Sequence, residues 1–274
     1  MLTLNPSAPI SRRAVLGVLV SVTTAGRPAA APAALKADEL AELRVELPVD
    51  VQKLVGGVRV AKVAVATPTA FDPAQPWRVL IVNATSDLGH QSSRQLMTAY
   101  RPAAAGAGWV ALAADPDREV AQRDDSLSLR YALAAAALDA VHPLWREAGR
   151  ATLAFAGFSG GAKYSGWLAA LFASQRAARV AGIFLSGVNE EPVATAARQF
   201  KVLDDDFRSM PVFLQAGRSD AVATPERHRE IMAELRRLGF RSLRLEVVEG
   251  GHRVDATWLQ TALEWFARSD TTRR

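Results

Sequence analysis

Residues 155–167 read "FAGFSGGAKYSGW", and the fold depends on how Ser159 in this stretch is read. The five residues 157–161, "GFSGG", fit G-x-S-x-G. Upstream, "ATLAFAG" is a short apolar run of strand type; downstream, "GGAKYSGWLAALFASQ" carries a helical pattern. A serine between a strand and a helix, flanked by glycines, sits on a tight turn with little lateral room. Small residues at Gly157 and Gly161 let strand and helix pass close together there. The pattern alone arises by chance too often to decide the matter, so its position in the chain and its partners must.

Working outward, strand-like and helix-like segments alternate. Strands are predicted over 58–68, 77–84, 109–114, 180–187, 211–217 and 242–250. Helices are predicted over 92–107, interrupted at Pro102, then from "LSLRYALAAAALDAV" to a turn at Pro143, over 224–238 and over 254–268. This rhythm implies an α/β fold with a mostly parallel sheet and helices on both faces. In such sheets ligands bind at the carboxyl ends of strands, which is where Ser159 falls.

Two further residues stand at strand ends. Asp220 follows "PVFLQAG" in "GRSDAVATP", and His252 follows "LRLEVVEG" in "EGGHRVDATW". A serine hydroxyl is a poor nucleophile until a neutral imidazole takes its proton, and the imidazole needs a carboxylate to fix its tautomer and stabilise its charged form. The chain order Ser159, Asp220, His252 is neither that of chymotrypsin nor that of subtilisin, but that of a serine on a strand-to-helix turn. Glu190 and Glu191, after "VAGIFLSG", are rival acids. Of the other histidines, His142 precedes a proline, His228 lies on a predicted helix, and His90 shares a loop with Asp87; His90 and Asp87 read as solvated residues or substrate contacts. The acidic run "DDDF" at 204–207 reads as a solvated loop.

With these residues in place the chain resembles an α/β-hydrolase from about residue 40 to 268. Within that superfamily it is most similar to compact esterases with little or no lid, of the polyhydroxybutyrate depolymerase-like and dienelactone hydrolase-like kind. The resemblance implies Ser159 as nucleophile, Asp220 as orienting acid and His252 as base, with Gly160 supplying one backbone donor to an oxyanion hole. Many members carry His-Gly after the third strand; this chain has Asn83-Ala84 in "LIVNATSDLGH", which makes Thr85 the candidate for the second donor. The implied reaction is carboxylic ester hydrolysis through an acyl-enzyme on a small-molecule substrate, without cofactor or metal. Activity should rise with pH through the neutral range, where an imidazole titrates. A peptidase or amidase on the same fold, or a non-catalytic binding protein, are the alternatives.

Composition bounds the remaining functions. The chain has 274 residues, 49% hydrophobic, and carries a net charge of +5. It contains no cysteine, which removes disulfides, thiolate nucleophiles and cysteine metal ligands. No His/Asp/Glu cluster has metal-ligand spacing, and no basic stripe with interleaved aromatics points to nucleic acid. The N-terminal "SRRAVLGVLV" pairs Arg12 and Arg13 ahead of an apolar run, and "RPAAAPAAL" offers small residues at Ala31 and Ala33. This resembles a twin-arginine (Tat) export signal, with cleavage after Ala33. It implies recognition of the precursor by the Tat machinery, a periplasmic or secreted destination, and no stable membrane anchor, because the apolar run is far short of the ~20 residues a spanning helix needs. Residues 34–274 then form one hydrolase domain. Without 1–33 the basic residues fall from 33 to 30 against 28 acids, so much of the positive charge belongs to the leader.

Overall fold

Eight strands form one sheet in the order β1-β2-β4-β3-β5-β6-β7-β8. The structure is a computed structural model, and it describes residues 34–85, 92–121, 124–145, 147–148, 151–175 and 178–272. The export signal expected over 1–33, and Asp87 and His90, lie outside the described residues. The strands are β1 (Leu40–Glu46), β2 (Val60–Ala66), β3 (Arg78–Asn83), β4 (Trp109–Pro116), β5 (Leu153–Phe158), β6 (Val180–Ser186), β7 (Val212–Gly217) and β8 (Leu243–Val248). β1 and β4 both pair antiparallel with β2, and from β4 to β8 every pairing is parallel.

The strands in the middle of the sheet are buried on both faces, which is why they read as continuous apolar runs rather than as alternating patterns. Along β5, Leu153 and Phe155 enter one core while Ala154 and Ala156 enter the other. The second core is closed by α2 (Ser93–Gly106), through Leu96, Met97 and Tyr100, and by α8 (Leu259–Thr272), through Leu263 and Phe266. The opposite face receives α3 (Leu127–Val141), α4 (Gly160–Ser174), α5 (Val193–Phe200) and α7 (Pro225–Arg237). Two short helices, α1 (Val49–Leu54) and α6 (Asp205–Ser209), complete the set among the described residues. Between β6 and β7 the chain carries only α5 and α6, and α5 buries Val193, Ala194, Ala196 and Ala197. This connection is scaffold, and no lid arises from it. No helix among the described residues is long and apolar enough to cross a membrane.

Three expectations need correcting. The helix over 92–107 is not interrupted at Pro102: α2 runs through it, with Pro102 on the exposed side while Leu96, Met97, Tyr100 and Ala104 are buried. Burial of that face offsets the backbone hydrogen bond that proline forfeits. The last helix begins at Leu259 rather than near 254, because Gln215 holds the preceding loop. Its side-chain Nε2 donates to the Asp255 carbonyl at 2.9 Å and its Oε1 accepts from the Trp258 N–H at 3.3 Å. The acidic run is exposed as expected, but it starts a helix rather than forming a loop: Asp204 caps α6 by accepting the Phe207 N–H, and Phe207 is buried.

Candidate active site

Ser159 stands between the end of β5 and the first residue of α4 with φ 54° and ψ −120°, a backbone state that costs a non-glycine residue roughly 1–3 kcal/mol. The surroundings fix it there. Its N–H donates to the Ser186 carbonyl at 2.9 Å, tying the turn to the end of β6. A Cβ at Gly157 would strike the Gly161 backbone, and one at Gly161 would strike the Asn83 carbonyl oxygen. Both glycines are therefore required by the close passage of β3, β5 and α4.

The three residues singled out by position in the sequence meet at the carboxyl edge of the sheet. His252 Nε2 lies 3.0 Å from Ser159 Oγ, and His252 Nδ1 lies 2.8 Å from Asp220 Oδ2. With Nδ1 protonated and donating to the carboxylate, Nε2 is left as an acceptor for the serine hydroxyl. Asp220 is buried and its other oxygen, Oδ1, accepts the N–H groups of Val222 and Ala223, each at 2.8 Å. One oxygen thus caps the turn that follows while the other faces His252. The loops carrying the two residues are joined by their backbones: Arg218 N–H donates to the Val248 carbonyl and Ser219 N–H to the Gly250 carbonyl. The His252 imidazole packs on Phe158 at 4.7 Å between ring centroids. A Cβ at Gly187 would come within 3.3 Å of that imidazole and 2.7 Å of the Phe158 ring.

The rival acids are engaged elsewhere. Glu190 pairs with Lys163 at 3.1 Å. Glu191 is buried at the start of α5, where its two oxygens accept the N–H groups of Ala194 and Thr195; burial pushes its carboxyl up despite these bonds. His228 is fully buried on α7. Its Nδ1 donates to the Thr224 carbonyl at 3.0 Å and its Nε2 accepts the Val188 N–H at 3.2 Å, and burial holds its pKa down. It is a neutral tie between α7 and the loop after β6.

Gly160 is the first residue of α4, a position whose N–H has no intrahelical acceptor. Asn83, the departure from His-Gly, turns its amide away from the edge and donates to Ser165 Oγ on α4 at 3.1 Å. Ala84 N–H donates to Ser93 Oγ at 3.1 Å. Thr85, half-buried, follows, and its carbonyl accepts from Arg130 Nη2 at 3.3 Å. Arg130 escaped the sequence reading, as did its partner Asp125. The signal was a lone cation within the apolar helix "LSLRYALAAAALDAV", since an arginine buried there requires a partner.

A strained serine on a strand-to-helix turn, a histidine–aspartate pair within reach and this strand order together define an α/β-hydrolase with serine hydrolase machinery. The profile of the serine hydrolase (FSH1) family matches residues 76–258, a span that includes Ser159, Asp220 and His252, and the chain belongs to that family. Among solved structures it is similar to a cold-adapted esterase from an Arctic intertidal metagenomic library, at 17% identity and TM-score 0.55, over 83% of this chain and 92% of that one. It is likewise similar to an α/β serine hydrolase without lid from Xanthomonas campestris, at 19% identity and TM-score 0.54, over 85% and 96%. An α/β serine hydrolase homologue from Coxiella burnetii aligns at 15% identity and TM-score 0.52, over 88% and 99%. At these identities the likeness is one of fold. No curated protein matches the sequence.

Proposed function

We propose that the protein is an exported carboxylic ester hydrolase acting through an acyl-enzyme. The observation that carries this reading is the continuous path Ser159 Oγ, His252 Nε2, His252 Nδ1, Asp220 Oδ2, with separations of 3.0 and 2.8 Å. Ser159 Oγ attacks the ester carbonyl carbon as His252 Nε2 takes the hydroxyl proton. The carbonyl oxygen becomes an oxyanion held by the N–H groups of Gly160 and Thr85. Collapse breaks the bond to the alcohol oxygen, which leaves with the proton from His252. Water then repeats the sequence on the acyl-enzyme and frees the acid, restoring Ser159. Asp220 stabilises the imidazolium formed at each step.

Ester rather than amide cleavage is the reading taken because the connection between β6 and β7 forms no lid among the described residues; an esterase and peptidases both stand among the similar folds, so the fold does not choose between them. Export rests on the twin-arginine segment with cleavage after Ala33, and residues 34–274 form the catalytic domain.

The test is a paired series of p-nitrophenyl esters and p-nitroanilides, from acetyl to long acyl chains, given to the chain beginning at Ala34. Esters should be turned over far faster than the matched anilides, with a rate that rises through neutral pH. Faster anilide cleavage would make the protein a peptidase or amidase, and the chain-length optimum would size the acyl site.

A further inference from the structure

The second oxyanion donor is a backbone N–H, and something must aim it. The two peptide groups on either side of the Ala84–Thr85 peptide are both held by side chains. On one side, Ala84 N–H donates to Ser93 Oγ at 3.1 Å. On the other, the Thr85 carbonyl accepts from Arg130 Nη2 at 3.3 Å. Arg130 Nη1 reaches the same Ser93 Oγ at 3.3 Å, so one guanidinium contacts both holding points. Since each peptide is planar, fixing its two neighbours leaves the intervening N–H, that of Thr85, little freedom of direction. The Gly161 backbone presses on Ala84 from the α4 side, its hypothetical Cβ lying 2.7 Å from the Ala84 carbonyl carbon.

Arg130 is itself fixed. Its Nε and Nη2 donate to Asp125 at 2.7 and 2.6 Å, a bidentate pair in which both side chains are almost completely buried. Asp125 is anchored in turn, because its carbonyl accepts the Tyr164 hydroxyl at 2.6 Å, and the guanidinium lies 5.1 Å from the Tyr164 ring centroid. Tyr164 stands on α4, five residues after Ser159. Ser93 is positioned by Asp115 at the end of β4, whose carboxylate accepts the N–H groups of Ser93 and Arg94 and the Ser92 hydroxyl. A continuous set of buried contacts thus runs from the helix behind the nucleophile to the strand-end loop opposite it.

We infer that Arg130, paired with Asp125 and acting with Ser93, is a positioning residue that aims the Thr85 N–H at the oxyanion. This rests on the serine hydrolase reading of Ser159. It also accounts for the Asn83-Ala84 departure: the side chain at 83 is committed to Ser165 on α4, and the loop is held from α3 instead. A planar fork is needed to serve Asp125, Ser93 and Thr85 together, which a lysine ammonium does not offer.

The test compares wild type with Arg130→Met, Ser93→Ala and the double variant Asp125→Leu/Arg130→Met. The double variant removes both buried charges at once, a change buried pairs often tolerate. It should recover the thermal midpoint that Arg130→Met loses and not recover activity. In Arg130→Met, kcat on a p-nitrophenyl ester should fall about 10- to 100-fold with KM within about threefold, and in Ser93→Ala about 3- to 10-fold, measured per folded molecule; complete loss of one donor costs on the order of 100-fold or more. The rate ratio of an oxygen ester to its thiono counterpart, whose sulfur gains less from the hole, should fall in parallel. Hydrogen exchange at the Ala84 and Thr85 amides should accelerate about tenfold or more. Restored kcat in the stabilised double variant, or unchanged exchange at both amides in Arg130→Met, would overturn the assignment. Absence of turnover in wild type overturns the esterase reading instead, and the amide exchange still decides whether the clamp exists.

Discussion

The two sides of Ser159 are built by different means. On the acid–base side, the working groups are side chains, each placed one short loop beyond a parallel strand, and they touch one another directly at 3.0 and 2.8 Å. On the oxyanion side, the proposed donors are backbone N–H groups of Gly160 and Thr85. One is aimed by the start of a helix, the other by a buried arginine 45 residues further along the chain. Side-chain chemistry announces itself by residue type, whereas backbone chemistry depends on whatever holds the backbone still.

The largest effect should come from the acid–base side. Asp220→Asn keeps the size of the side chain but removes the charge facing His252 and favours the wrong imidazole tautomer. Turnover of a p-nitrophenyl ester should fall by roughly 10³- to 10⁴-fold, while circular dichroism stays that of the wild type. A loss of tenfold or less would mean that another group orients His252.

A smaller effect should follow on the other side from Gly161→Ala. Its methyl would collide with the Asn83 carbonyl oxygen and the Ala84 backbone, pushing the loop that carries Thr85 away from α4. Turnover should drop about 10- to 100-fold with a lower thermal midpoint, since steric relief here requires backbone movement. Equal losses in the two variants would erase the distinction between the sides. A Gly161→Ala protein of normal activity would show that this loop does not serve the reaction.

How far the sequence disclosed this arrangement follows the same division. Parallel strands buried on both faces were legible as apolar runs, and Ser159, Asp220 and His252 were legible because each stands immediately after one. β1 escaped although "LAELRVE" alternates cleanly, with Ala41, Leu43 and Val45 half-buried and their neighbours exposed. The helices α5 and α6 escaped because they are short, 8 and 5 residues, with only Val193, three alanines and Phe207 buried, too few turns for a period to be read. Pro102 misled, since local propensity lost to the burial of Leu96, Met97 and Tyr100. In the sequence Asp220 stands first as the acid, with Glu190 and Glu191 as rivals at the end of the preceding strand. Only folding shows that Glu191 spends its oxygens on α5 while Asp220 keeps one for His252. The Arg130 clamp joins three segments distant in sequence, so no local pattern records it.

The central claim is that Ser159 is an activated nucleophile, and the most direct measurement is covalent labelling by a fluorophosphonate, with the modified residue located by mass spectrometry of the digested protein. The account predicts one phosphonyl group per chain, on the peptide containing Ser159, and no labelling of folded Ser159→Ala. Folded wild-type protein that stays unlabelled, or label on another residue, would contradict it.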